Sequence, residues 1–242
     1  MLAHTHALTG AAAWLALAPV VHADRPAELA GGTVMAAGAA LLPDLDHHSG
    51  TAAKTWGPIT RLIGRVTAWA CGGHRKGTHT LLAAAAAGGV TYLAVNHAGW
   101  AAVAVVALLV GLALVACEDL IPGRWERFWP ANLAASVGLA FAAVATDLDL
   151  TWLPAAVAIG WAAHLAGDFV TDGGVPLLAP LTSRRFRLTY LNTGGRWETV
   201  VAWTLTASIA ALAAATIVTM PEPWTTAWPD NQQRLDKRLD GM

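Results

Sequence analysis

The chain has 242 residues, of which 55% are hydrophobic and only 13% charged, with a net charge of −1. A soluble domain carries roughly 25% charged residues, so a water-soluble fold is disfavoured. The near-neutral balance also argues against nucleic acid as a partner.

In chain order, the first apolar stretch runs from Ala7 to Val21, after a short lead that holds His4 and His6. Val21-His22-Ala23 looks like a signal-peptide cleavage site, but Met1 to His6 contains no Lys or Arg, so an uncleaved helix is expected. A second apolar stretch, Leu29 to Leu42, ends at Pro43-Asp44-Leu45-Asp46-His47. Proline disfavours the helical region for the residue before it, which predicts an irregular loop from there on. Next comes a polar segment, Gly73-His74-Arg75-Lys76-Gly77-Thr78-His79-Thr80, ahead of a third apolar stretch, Thr80 to Val95. His74 and His79 are separated by about 140° on a helix, so they do not share a face. His74 is expected in a glycine-flanked loop and His79 in the first helical turn, with Thr78 as cap.

Ala98 to Cys117 and Thr199 to Met220 contain no Asp, Glu, Lys, Arg or His, and each matches the ~20 residues that cross a bilayer core. Between them lie the shorter candidates Ala131 to Thr146 and Leu150 to Phe169. Frequent Ala and Gly would let neighbouring backbones approach closely. The fold expected is all-α: a polytopic bundle of about five to seven membrane helices within residues 1–220, followed by an interfacial or disordered tail over 221–242.

With the N-terminus in the cytoplasm, Lys54, Arg61, Arg65, Arg75 and Lys76 share one inner loop, Arg124 and Arg127 the next, and Arg184, Arg185, Arg187 and Arg196 the third. Only Arg25, Arg234, Lys237 and Arg238 remain outside, as the positive-inside rule prefers. Cys71 and Cys117 then lie on the reducing side, so no disulfide framework is expected. The same orientation brings His6, Asp44, Asp46, His47, His74, His79, His164 and Asp168 to one membrane face. His22 and His97 go to the other face, as plain interfacial side chains.

Ionisable groups beside membrane-length segments are costly and usually mark function. His164 and Asp168 are spaced i, i+4, which aims both side chains from one helix face at a shared ion or at each other. Asp44 and Asp46 repel unless a cation lies between them; a capping role is the alternative. Arg75 and Lys76 are either a topology anchor or a phosphate clamp.

Taken in order, these segments resemble the YdjM-like family of bacterial and archaeal membrane-bound metal-dependent hydrolases. The resemblance rests on the early histidine at His6, the Pro-Asp-x-Asp-His segment at Pro43 to His47, the His-Arg-x-x-Thr-His segment at His74 to His79, and the pair His164 and Asp168. It continues through Gly174-Val175-Pro176-Leu177-Leu178-Ala179-Pro180 and departs slightly at Lys76-Gly77. It implies a metal-dependent hydrolytic site in a membrane bundle.

The resulting expectation is a site at the cytoplasmic ends of the helices, in the inner membrane. One or two divalent cations (zinc, manganese or iron) are held by His6, Asp44, Asp46, His74, His79, His164 and Asp168. A metal-activated water would attack an ester, with His47 moving protons and Arg75 among the catalytic groups. Arg184, Arg185 and Arg187 are expected to attract anionic head groups of membrane lipid, making a lipid-linked or amphipathic phosphoester the substrate class. A metal transporter or a metal-tied scaffold is the alternative; ligands at span ends fit a transport path less well than a surface reaction.

Overall fold

Proline punctuates this chain at helix starts, where its missing N–H costs nothing. Pro26, Pro58, Pro130 and Pro154 each occupy the first or second position of a helix. The computed structural model describes residues 1–23, 25–118, 128–146, 148–189 and 191–219. Among these the helices are α1 (Ala3–Leu17), α2 (Pro26–Ala39), α3 (Thr51–Lys54), α4 (Pro58–Ala70), α5 (Leu81–His97), α6 (Gly99–Glu118), α7 (Trp129–Ala145), α8 (Leu153–Phe169) and α9 (Arg196–Thr219). The fold is all-α; β pairing among the described residues is limited to the isolated bridges Thr171 to Leu191 and Val175 to Phe186.

Each of the seven apolar stretches forms a helix. Two of them, Gly99–Cys117 and Arg196–Thr216, are long and apolar enough to cross a membrane. They sit differently. Leu109, Leu112 and Val106 of α6 are buried in the interior, whereas past Glu198 no described side chain of α9 is buried. Helix α9 packs along α1 on one side, with Ile209 and Leu212 against the core, and its remaining apolar surface suits contact with lipid.

Helix α2 is the hub, with α1, α6 and α8 packed on it. A Cβ added at Gly10 of α1 or at Gly160 of α8 would lie 2.3 Å from the Ala36 carbonyl oxygen. Both helices therefore cross α2 with their backbones in contact, the kind of packing that holds membrane helices together where the hydrophobic effect does not. Trp14, Leu109, Leu153 and Val157 fill the space around that crossing. The hub fixes where the ends of α1, α2 and α8 meet.

Three local differences from the sequence reading bear on the site. Leu42 is helical in spite of the following proline, with φ −58° and ψ −42°, and Pro43–Asp46 forms a 3₁₀ turn. Leu45 N–H donates to the Leu42 carbonyl at 3.1 Å and Leu45 is buried, so tertiary packing overrides the local preference. The α5 cap is Thr80, which accepts from Ala83 N–H at 3.1 Å; Thr78 lies in the preceding 3₁₀ turn, Gly77–His79.

The stretch read as a basic loop contains α3 and α4. Thr60 and Gly64 of α4 are buried, and a Cβ at Gly64 would come 2.5 Å from the Leu45 carbonyl oxygen, so α4 buttresses the Pro43–Asp46 turn. Its Leu62, Val66 and Trp69 form an exposed apolar stripe beside Arg61 and Arg65, an amphipathic pattern suited to a bilayer surface. Arg124, Arg127 and the tail with Arg234, Lys237 and Arg238 lie outside the described residues.

Candidate metal centre

The start of α1, the end of α2, the start of α5 and the end of α8 converge, and each contributes a buried ionisable side chain. His164 is fully buried on α8, and its Nδ1 lies 2.7 Å from the Ala40 carbonyl oxygen. A carbonyl only accepts, so Nδ1 carries the proton and the Nε2 lone pair points inward. His79 is held by the Gly77–His79 turn, which Trp161 of α8 ties down by donating from Nε1 to the Thr78 carbonyl at 2.9 Å. The Thr78 hydroxyl donates to Asp46 Oδ2 at 2.6 Å and lies 2.9 Å from His79 Nδ1. With its proton spent on Asp46, that hydroxyl accepts from Nδ1–H. As neutral rings, both histidines therefore aim an Nε2 lone pair at the other across 3.2 Å.

Two carboxylates close the arrangement. Asp44 Oδ1 lies 3.6 Å from His79 Nε2 and 3.9 Å from His164 Nε2. Asp168 Oδ2 lies 3.7 Å and 3.8 Å from the same two nitrogens. Ligand atoms around a tetrahedral zinc with 2.0–2.1 Å bonds are about 3.3 Å apart. The two imidazole nitrogens lie 3.2 Å apart and each has both carboxylates at 3.6–3.9 Å, so these acceptors repel one another and are spaced to hold a cation between them. Asp168 Oδ2 is buried and, among the described residues, makes no well-aligned hydrogen bond; its partner is an ion-pair contact with the Arg75 guanidinium at 3.0 Å, so the oxygen keeps acceptor capacity toward the two imidazoles.

The outer members fall into two triads, His6 with His164 and Asp168, and Asp44 with His74 and His79; within each, the ligand atoms lie within 4.8 Å of one another. His6 stacks on His164 at 3.8 Å between ring centres, with Nε2 3.3 Å from Asp168 Oδ1. Asp168 Oδ1 also receives the Met1 amino nitrogen at 3.0 Å. These residues could hold one ion, or two that share the central atoms.

Asp46 stands apart from the other carboxylates. His74 Nδ1 lies 2.7 Å from its Oδ1, and Arg75 N–H and the Thr78 hydroxyl donate to its Oδ2. Both oxygens are occupied in fastening the 74–78 segment. Burial opposes charge at Asp46, but hydrogen bonds from His74 and Thr78, with the His79 ring close by, hold it below the usual carboxylate range. At Asp44 burial is likewise outweighed, by the field of His164 and the proximity of His79. Burial lowers the basicity of His79, yet the carboxylates of Asp44 and Asp46, each 3.6 Å away, reverse the sign and raise it. The surroundings favour positive charge at this point.

Arg75 borders the cage with a left-handed backbone, φ 56°, uncommon for a residue with a side chain. Its amide bond to Asp46 helps to hold that conformation. One guanidinium nitrogen approaches Asp168 Oδ2 at 3.0 Å, and its buried Nε has no hydrogen-bond partner among the described residues. His47 lies outside the cage, edge-on to His74 at 4.6 Å between ring centres. Arg185 and Arg187 donate to the Gly173 and Asp172 carbonyls at 3.2 Å, and Arg184 lies 5.7 Å over the Phe186 ring. A Cβ at Gly173 would lie 1.9 Å from Arg75 Nη1, so this glycine makes room for the guanidinium.

Sequence reasoning missed the Ala40 carbonyl, which has no side-chain signature, and the part played by Thr78. It also missed Gly173, although the Gly173-Gly174 pair marked a place of close approach.

The chain belongs to the YdjM inner membrane protein family, whose model matches residues 1–226, and it is a membrane protein. Comparisons with curated proteins and with solved structures found no match.

Proposed function

We propose that this inner membrane family member is a metal-dependent hydrolase acting on an ester of an amphipathic, lipid-linked substrate. The observation that carries the reading is the cage of His79 Nε2, His164 Nε2, Asp44 Oδ1 and Asp168 Oδ2, buried except on its Asp44 side, with the two imidazole lone pairs 3.2 Å apart and each carboxylate 3.6–3.9 Å from both of them. Mixed imidazole and carboxylate donors suit zinc, manganese or iron better than calcium. His6 extends the His164 and Asp168 side and His74 the Asp44 and His79 side, so that each triad could hold an ion of its own. A divalent metal here supplies Lewis acidity and an acidified water for attack on the ester.

The chain's own groups do the rest. Asp46 and Thr78 orient His79, and the Ala40 carbonyl orients His164. His47, beside His74 and 3.2 Å from the Ser49 hydroxyl, is placed to carry protons between site and solvent. Arg75 offsets negative charge at the edge of the cage. Seven apolar helices, α1, α2 and α5–α9, are read as alternating spans, with the cage ends facing the cytoplasm because the basic residues gather there.

The test is metal analysis of the purified protein together with release of phosphate or acid from anionic lipids. Wild type should carry one or two ions per chain and show chelator-sensitive turnover; His164→Ala and Asp44→Ala should lose both. Metal flux into proteoliposomes without any product would instead favour transport and end the hydrolase reading.

A further inference from the structure

A cavity of about 430 Å³ lies beside the cage, within the ~300–1,000 Å³ typical of small-molecule sites. Two chemistries line it. Arg75, Lys76 and Arg185 bring positive charge and Ser183 a hydroxyl, while Leu82 and Pro180 are among the residues of an apolar wall. Among the described residues that line it there is no carboxylate. Two of the three cations are held in place, the Arg75 guanidinium by Asp168, with its backbone amide on Asp46, and Arg185 by the Gly173 carbonyl. Leu82, on the first turn of α5, is exposed, as are Leu178 and Leu181 of the neighbouring loop, so the apolar wall continues onto an apolar surface.

We propose that this cavity is the head-group subsite for a lipid phosphate. Lys76, Arg185 and Arg75 receive the phosphate oxygens, and the wall at Leu82 and Pro180 receives the adjoining glycerol and first acyl carbons. Guanidinium groups match phosphate geometry with paired N–H donors, and the ammonium adds charge without directional demand. An inorganic phosphate would satisfy the cations and leave the apolar wall without a partner. Because Arg75 touches both the cavity and Asp168, a phosphate bound here is brought up against the cage. The assignment rests on the hydrolase reading for its purpose, while binding itself is measured without turnover.

The experiment is calorimetric titration of the full chain in zwitterionic nanodiscs with inorganic phosphate, dihexanoyl phosphatidate and dihexanoyl phosphatidylcholine. Phosphatidate should bind at least tenfold more tightly than either comparison ligand. The Lys76→Gln/Arg185→Gln double variant should lose tenfold or more in phosphatidate affinity with metal per chain unchanged. Where the double variant fails to fold, Lys76→Gln alone, at an exposed position, should still lose threefold or more. Wild-type phosphatidate affinity in these variants overturns the subsite, and equal affinity for phosphate and phosphatidate overturns its lipid character. Tight, variant-sensitive phosphatidate binding in a protein that never hydrolyses an ester would sink the hydrolase reading and leave the subsite standing.

Discussion

The two ends of the bundle both concentrate charge, and they resolve it in opposite ways. Where α2 begins and α8 is about to begin, Arg25 bonds the Glu28 carboxylate through Nε at 2.7 Å and reaches Asp149 Oδ2 at 2.5 Å. Asp149 also accepts from the Thr151 amide and hydroxyl, and its carbonyl accepts from Trp152 Nε1. That cluster is closed: acceptors meet donors, and α2 is tied to the start of α8. At the other end of the same two helices, Asp44, Asp168, His79 and His164 turn acceptors toward one another, with Arg75 as the neighbouring cation. A closed cluster stabilises a fold without help, whereas an open one is worth keeping only if something charged occupies it.

The sharpest way to break the contrast is to remove a central acceptor. His164→Ala should abolish stoichiometric metal and lower turnover by at least about 100-fold, the upper end of what loss of an outer partner costs. Arg25→Ala should leave metal content untouched. Mass-spectrometric metal counting on both variants decides it; full occupancy in His164→Ala would make the open cluster no different from the closed one. Asp46→Asn tests the gradation within the site. Because Asp46 orients the 74–79 segment, metal should still bind, with affinity reduced about 10- to 100-fold, whereas Asp44→Asn should behave like His164→Ala.

How much of this was legible in the chain follows from which groups carry the geometry. Apolar runs, six of them free of charge and the seventh carrying only Asp168 near its end, located all seven long helices, and the alternation of their directions brought His6, Asp44, His79, His164 and Asp168 to one end. The division of labour between Asp44 and Asp46 was hidden, because it depends on which way a 3₁₀ turn rotates two carboxylates that are neighbours but one. Helix α4 was legible and overlooked: Ile59, Leu62, Ile63, Val66 and Trp69 recur at helical spacing, but Arg61 and Arg65 drew the reading toward a loop. The Ala40 carbonyl was beyond reach, since any residue at position 40 offers the same oxygen.

A smaller effect is expected where the open cluster meets the cavity. Gly173→Ala places a methyl group at the position now taken by Arg75 Nη1, so the guanidinium must move away from Asp168. Metal content should stay at the wild-type value. The cost should appear as a rise in KM of about tenfold, near the 1.4 kcal/mol of one displaced charged contact, with kcat changing less. A fall in kcat with KM unchanged would place Arg75 in bond-breaking instead of anion recognition.

The closed cluster should answer to pH and not to metal. The Thr151 amide and hydroxyl, together with Arg25, lower the Asp149 carboxyl to about 2, from the roughly 3.9 of an unfolded chain. A depressed carboxyl contributes stability that is complete above about pH 4 and disappears as the pH falls through its folded value. Because the Asp149 and Arg25 side chains are 41% and 58% exposed, solvent screening limits the contribution to under about 1 kcal/mol. Thermal melts at high pH should therefore separate wild type from Asp149→Asn by only a degree or two, and the gap should close between about pH 4 and pH 2. The gap should be the same with and without chelator, since the two clusters lie at opposite ends of α2 and α8. A gap that vanished on chelation would mean that the ends are coupled through those helices, and the division into a structural end and a reactive end would have to be abandoned.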